Sequence, residues 1–315
     1  MKIVVLDRNS LGIDTPLCGL EAFGEVIVYD KTSSNEVSER IFDADIVVLN
    51  KVKITEEILK EAKNLKLVCI FATGFDNVDV VAAKKYGVAV CNVPGYSTDS
   101  VALFTLANVL ALYTHLREYN DYVVSGEYSK SGVPNLLTPV YHEIKGKTWG
   151  IIGLGNIGKA VAKVAEALGA RVIANKRTPI SDFECVDIDT LCRESDIITI
   201  HCPLNDGTRN LIDEKRLAIM KNDVVIVNEA RGAVVNEHDV ARAIKKGMIG
   251  AFGSDVYSTE PFSLNHPFNE IKDYPNVLLT PHAAWGSYES RLRCINMICD
   301  NISAYLRGER HNRVD

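Results

Sequence analysis

Three side chains of complementary chemistry follow short, β-branched apolar runs in this 315-residue chain: Arg231, Glu260 and His282. An imidazole titrates near neutrality and can hand a proton to a reacting oxygen. A carboxylate bonded to its second ring nitrogen favours the protonated ring. A guanidinium grips a carboxylate through two parallel hydrogen bonds and polarises a neighbouring carbonyl. Singly, each residue has a plainer reading: a satisfied histidine beside Pro281, an arginine closing a strand, a solvated loop acid. Together they stand after predicted strands over 224–228, 250–254 and 277–279, and α/β sheets bind ligands at the carboxyl ends of their strands. The trio therefore reads as an acid–base site with an anion grip.

A second constellation is Gly153-Leu154-Gly155-Asn156-Ile157-Gly158. It follows a predicted strand over 148–152 and opens a predicted helix over 159–168, the context in which such a turn binds a dinucleotide. Gly153 permits the tight turn, Gly155 lets backbone approach a pyrophosphate, and Gly158 lets helix pack on strand. The helix N-terminus offers N–H groups and a positive dipole end to the anion. In NAD-binding units an acidic residue about 20 residues beyond the motif holds the ribose hydroxyls and repels a 2′-phosphate. Here Lys176 stands eighteen residues past Gly158, flanked by Asn175, Arg177 and Thr178. Lys176 and Arg177 can pair with that phosphate, so the sequence points to NADP(H); NAD(H) is the alternative if both side chains face solvent.

These residues need a frame. Apolar runs at 3–6, 26–29, 46–49, 67–71 and 88–91 alternate with helical segments such as 55–63 and 79–86, the latter ending at Gly87. From 148 the alternation restarts, with strands at 148–152, 171–174, 197–201, 224–228, 250–254 and 277–279, and helices at 159–168, 213–220 and 237–246. Strands that are apolar on both faces and alternate with helices form covered parallel sheets, so the expected class is α/β with two doubly wound sheets. A helix starting near Thr98-Asp99 and running toward His115 is apolar almost all round and is expected to be buried. A second long helix spans 287–306. If both cross between domains, residues 1–97 plus 287–315 form one domain and 98–286 an inserted one. Residues 119–147, with Gly126, Gly132, Pro134 and Pro139, are too long for an ordinary connection and read as an arm for subunit contact.

Composition narrows the partners. A hydrophobic content of 47% with 24% charged residues belongs to a folded protein. A net charge of −6 without a basic stripe argues against nucleic acid. Charges at Lys2, Asp7 and Arg8 interrupt the N-terminal apolar run, and residues 101–113 are too short to span a bilayer, so neither a signal peptide nor a membrane is expected. The eight cysteines contain no C-x-x-C pair, which suits reduced thiols in the cytoplasm and neither a disulfide framework nor a metal site. His115, His142, His238, His266 and His311 read as structural or surface residues.

Across essentially its full length the chain resembles the D-isomer-specific 2-hydroxyacid dehydrogenases. The resembling segments are Ala72-Thr73-Gly74-Phe75-Asp76-Asn77-Val78-Asp79, Asn92-Val93-Pro94-Gly95, the glycine turn, His201-Cys202-Pro203-Leu204, Asn228-Glu229-Ala230-Arg231-Gly232, residues 255–261 and Thr280-Pro281-His282. Several ordered motifs are far more specific than any one. The contexts of Asn50-Lys51 and His282-Ala283-Ala284-Trp285 are similar to the glycerate dehydrogenase (hydroxypyruvate reductase) branch.

The 119–147 arm points to a homodimer, and the resemblance implies a Rossmann cofactor domain inserted into a flavodoxin-like substrate domain. It implies hydride transfer between a nicotinamide cofactor and a small 2-oxoacid to give the D-hydroxy acid. His282 would be the proton donor, Glu260 its partner and Arg231 the carboxylate clamp. The backbone at Thr73-Gly74 would meet substrate, and Lys51 reads either as a substrate contact or as a solvated surface lysine. Cofactor contacts would come from Thr98, Gly153, Gly155, Asn156, Ile157, Gly158, Lys176, Arg177, Cys202, Pro203, Thr208, Glu229, Ala230, Asp255 and Ala284, with His201 near the adenosine. Glu229 stands where a small residue is frequent. Hydroxypyruvate and glyoxylate are the first substrates to expect, with bulkier 2-oxoacids as the alternative. A dinucleotide-sensing corepressor shares the fold without the turnover. Formate dehydrogenases lack the histidine's carboxylate partner, and phosphoglycerate dehydrogenases often add a regulatory domain.

Overall fold

Runs of Ile, Val and Leu with no polar face become the central strands of two parallel sheets. The computed structural model describes residues 1–178 and 181–315, and these divide into two compact units, Met1–Ser97 with Trp285–Asp315, and Thr98–Ala284.

In the first unit, β1 (Lys2–Val5), β2 (Glu25–Val28), β3 (Ile46–Leu49), β4 (Leu67–Ile70) and β5 (Ala89–Cys91) form a parallel sheet in the order β2-β1-β3-β4-β5. This is the flavodoxin-like order, with its direction of growth reversing between β1 and β3. Alternate side chains enter two cores, Val4, Val47 and Val68 on one face and Ile3, Ile46 and Leu67 on the other. The C-terminal helix Tyr288–Leu306 closes the second face with Cys294, Ile295, Ile298 and Ile302. Ser287 caps it, its hydroxyl accepting from the Ser290 N–H.

The second unit contains β6 (Thr148–Ile152), β7 (Arg171–Asn175), β8 (Glu184–Cys185), β9 (Ile197–Ile200), β10 (Val225–Asn228), β11 (Ala251–Ser254) and β12 (Val277–Leu279), in the order β12-β11-β10-β9-β6-β7-β8. The order reverses between β6 and β9, where a doubly wound sheet leaves a crevice at its carboxyl edge. The helix Asn156–Ala167 lays Gly158, Val161, Ala162 and Ala165 on the sheet at helical spacing.

The structure differs from the sequence expectation at several points. The helix Thr98–Tyr113 is not buried all round: Leu103 is 67% exposed, while the polar Thr105 and Asn108 lie on the buried face. The Thr105 hydroxyl donates back to the Val101 carbonyl and Asn108 has a buried partner, so polarity inside is satisfied locally. The stretch read as an irregular arm contains helices Leu116–Val124 and Glu127–Ser131, separated and ended by Gly126 and Gly132 at φ +83° and +67°. The segment expected to be helical over 213–220 keeps only Glu214–Leu217. The two-residue edge strand β8 was too short to leave a pattern. Among the described residues, no single helix is long and apolar enough to cross a membrane.

Candidate active site

The glycine turn sits at the carboxyl end of β6, beside the crevice. Gly153 has φ +95°, and a Cβ there would lie 2.4 Å from the Cys202 nitrogen. A Cβ on Gly158 would lie 2.2 Å from the Gly153 oxygen. Packing therefore demands both glycines. A Cβ on Gly155 meets nothing within 4 Å, so this residue leaves open space before the N-terminus of the helix Asn156–Ala167. That is the cradle an anionic pyrophosphate needs.

The other candidates follow along the same edge in strand order: His201 after β9, Glu229 and Arg231 after β10, Asp255 and Glu260 after β11, His282 after β12. His282 Nδ1 and Glu260 Oε2 are 2.6 Å apart. Glu260 is held in turn by the Tyr257 N–H, which donates to its Oε1 at 3.1 Å. His282 has φ +54°, a left-handed conformation that is costly for a side chain with a Cβ. Asp255, 1% exposed, maintains it by accepting from Thr280 Oγ1 at 2.6 Å and from the N–H groups of Ala283 and Ala284, each at 2.8 Å. The imidazole is thus fixed from both its ring and its backbone. Asn228 pins the loop that carries Arg231: its Nδ2 donates to the Arg231 carbonyl and its Oδ1 accepts from the Ala230 N–H.

A buried brace behind these loops escaped the sequence reading. Glu237 accepts from the Ser258 N–H at 2.8 Å, from the Ser258 hydroxyl, and from His266 Nε2 at 3.0 Å. The Phe268 N–H donates to His266 Nδ1, which assigns the ring proton to Nε2. His266 is 8% exposed and edged by Tyr257, Phe262 and Phe268, so it is a strut within the core. Its only sequence signal was the aromatic residues nearby.

Several expected cofactor residues serve the protein's own turns. The Thr208 hydroxyl accepts from the Asn205 N–H and donates to the Pro203 carbonyl, closing the loop after Cys202. Burial pushes the Cys202 thiol up to about 11, so it is a packing group and not a nucleophile. Thr98 opens the helix whose Ser100 hydroxyl donates to the Ala284 carbonyl at 2.6 Å. Lys176, half-buried, and Arg177, exposed, directly follow β7, where Asn175 anchors the chain to the Val186 carbonyl.

Lys51, Thr73 and Gly74 belong to the first unit. Asp7, 6% exposed, accepts from the N–H groups of Asn50 and Lys51, and burial raises its carboxyl above the ordinary range. The Asn92 amide donates to the Thr73 carbonyl at 2.7 Å, and the Thr73 hydroxyl to the Val93 carbonyl at 2.9 Å. These bonds fix the loops after β3 and β4 and leave the Lys51 side chain exposed.

Among the described residues, the buried side-chain nitrogens and oxygens without a hydrogen-bond partner are Asn50 Nδ2, both ring nitrogens of His201, and Glu229 Oε2. Each belongs to the residue immediately after a parallel strand: β3, β9 and β10. Proteins rarely leave such groups unmet, and here they stand at the edge where ligands bind. Burial pushes the His201 imidazole down to about 3, so it is neutral and presents one donor and one acceptor. With the open Gly155 turn, the orphaned atoms of His201 and Glu229 fit a dinucleotide along the edge of the second unit.

A glycine turn at a topological switch point, with an imidazole–carboxylate pair and a guanidinium on neighbouring strand ends, defines a dinucleotide-dependent oxidoreductase. Residues 106–284 match the family described as D-isomer specific 2-hydroxyacid dehydrogenase, NAD binding domain. The chain is 38% identical over 324 aligned positions, covering all of both proteins, to a hydroxypyruvate reductase of Blautia hydrogenotrophica. It is 36% identical to a glycerate dehydrogenase of Methylorubrum extorquens, across 100% of this chain and 99% of that protein. The solved structure of an acyclic imino acid reductase (Bsp5) in complex with NADPH and D-Arg superposes with a TM-score of 0.87 at 30% identity, covering all of both chains. The chain belongs to the D-isomer-specific 2-hydroxyacid dehydrogenase family.

Proposed function

We propose that this protein reduces a small 2-oxoacid, hydroxypyruvate or glyoxylate first among them, to the D-2-hydroxy acid with NADPH, and with NADH as the weaker donor. The observation that carries this reading is the His282–Glu260 pair at 2.6 Å, beside the loop of Arg231. When bound, the reduced nicotinamide supplies the hydride that reaches C2 of the substrate. Glu260 holds Nδ1 of His282, so Nε2 is the nitrogen that delivers the proton to the carbonyl oxygen. Arg231 binds the substrate carboxylate and draws negative charge toward the developing alkoxide. In the reverse direction His282 takes the proton back.

The names of the full-length relatives support a hydroxypyruvate–glycerate pair as the substrate class. The test is absorbance loss from NADPH and NADH with hydroxypyruvate, glyoxylate, pyruvate and branched 2-oxoacids, followed by chiral chromatography of the product. Turnover of the two smallest oxoacids to the D isomer is expected. An L product, or dinucleotide binding without turnover of any oxoacid, overturns the proposal.

We also propose that the chain forms a homodimer through residues 119–147, where a second copy covers the exposed apolar side chains Val124, Leu137 and Val140. A dimer mass by light scattering at micromolar concentration is expected, and a monomer mass contradicts it.

A further inference from the structure

Glu229 is an anomaly in the second unit. It directly follows β10, is 8% exposed, and has a hydrogen-bond partner on one of its two carboxyl oxygens. Its Oε1 accepts from Asn108 Nδ2 at 2.6 Å, a buried bond from the helix Thr98–Tyr113. Its Oε2 is enclosed and has no partner. An ionised carboxylate in this position would be desolvated and supported by one neutral donor, with the Asp255 carboxylate nearby and engaged by three donors of its own. The protonated acid suits the geometry better: Oε1 is the carbonyl oxygen that Asn108 holds, and Oε2 carries a hydrogen that needs an acceptor. Burial first, and the Asp255 charge second, push the carboxyl up to about 8 against the pull of Asn108. Asp255 and the Tyr257 phenol are the titratable neighbours whose fields Glu229 shares.

The position indicates the acceptor. The glycine turn at β6 takes the pyrophosphate, and the ribose-reading residues Lys176 and Arg177 follow β7 on one side of it. The nicotinamide half must then run the other way, across β9 and β10 toward Arg231 and His282. Glu229 stands two residues before Arg231 on that path. We propose that Glu229 is a specificity-determining contact for the nicotinamide half of the cofactor, its Oε2 hydroxyl donating to an acceptor oxygen of the carboxamide or the adjoining ribose. The inference rests on the dinucleotide reading of this edge. A neutral donor there selects for the carboxamide or ribose oxygen while adding no charge beside the ring that must gain and lose hydride.

The test is calorimetric binding, without substrate, of NADPH, NADH, ADP-ribose and ADP to the wild type, Glu229→Gln and Glu229→Ala between pH 6.5 and 9.5. For the wild type, the Kd of both reduced dinucleotides should be flat at low pH and weaken about fivefold from pH 8 to pH 9, as the donor proton is lost. Glu229→Gln keeps a donor that does not titrate, so its affinity should stay within about fivefold of wild type at pH 7 and lose the pH dependence. Glu229→Ala should be weaker at every pH. An effect already present with ADP-ribose assigns the acceptor to the ribose, and one confined to the full dinucleotides assigns it to the carboxamide. Equal effects on ADP, or a Glu229→Gln profile that still weakens above pH 8, overturn the inference. Failure of every variant and the wild type to bind any dinucleotide would instead remove the reading beneath it.

Discussion

The backbone of Gly232 lies directly against that of Tyr257: a Cβ on Gly232 would come within 1.9 Å of the Tyr257 carbonyl carbon and 2.1 Å of the Ser258 nitrogen. One close approach thereby locks the loop of Arg231 to the loop of Glu260, whose carboxylate in turn holds His282. The Glu237–His266 brace secures the same Ser258. Relative placement of Arg231 and His282 therefore depends on a glycine with no chemistry of its own.

Gly232→Ala should force these backbones apart, because neither contact is a flexible side-chain tip. Overpacking of this kind costs about 1–3 kcal/mol, and a misplacement of about 1 Å can cost 10²-fold in rate. A lowered melting temperature is expected, with kcat down at least about tenfold and the dinucleotide Kd nearly unchanged. Wild-type kcat in a stable variant would show that the contact does not position the site.

His282→Ala removes the proposed proton donor and Arg231→Ala the charge proposed to stabilise the alkoxide, so each should reduce 2-oxoacid turnover by about 10²–10⁴-fold. Glu260→Gln leaves a group able to bond Nδ1 but removes the charge opposite a protonated ring, and should cost less than either. Steady-state kinetics measure the losses, and dinucleotide titration checks that the cofactor edge is intact. Near-native turnover by the His282 variant rules out the mechanism.

His201 makes stability depend on pH with a definite sign. Its folded-state value near 3 lies below the ordinary histidine value of about 6.5, so the unfolded chain binds a proton that the folded protein refuses. The stabilisation is complete above pH 6.5 and is lost as pH falls toward 3, by at most about 1.4 kcal/mol per pH unit. Denaturant unfolding of the wild type and His201→Gln at pH 7 and pH 5 measures this. The variant should gain on the wild type at pH 5, and an equal difference at both pH values would exclude His201 as the source.

What the sequence revealed follows from where the physical signal is local. Strands covered on both faces must be apolar throughout, so β3, β4, β9 and β10 were visible within a residue or so. The glycine turn carries its own reasons in six consecutive residues. Contacts between distant loops leave no such trace: nothing near Gly232 names Tyr257, and nothing near Glu237 names His266. Nor does composition reveal which face of a helix is buried when Asn108 turns inward to Glu229 and Leu103 turns out. The orphaned oxygen of Glu229 is legible only once its neighbours are in place.

The proposed preference for NADPH over NADH rests on Lys176 and Arg177. An acidic residue at this place would hydrogen-bond the ribose hydroxyls and repel a 2′-phosphate. Here two cations follow β7 instead, and Asn175 ties the strand end to the Val186 carbonyl, fixing where they begin. A phosphate beside two cations gains charge-assisted hydrogen bonds that are stronger than neutral ones, while NADH offers these cations only hydroxyls. The wild type should therefore show a higher kcat/KM with NADPH than with NADH. Lys176→Asp replaces a cation with a carboxylate that repels the phosphate and can bond the hydroxyls, so it should lower the NADPH value and raise the NADH value. The ratio of the two, compared between wild type and variant, is the measurement. A wild type that prefers NADH, or a ratio that the substitution leaves unchanged, would show that these cations do not read the phosphate.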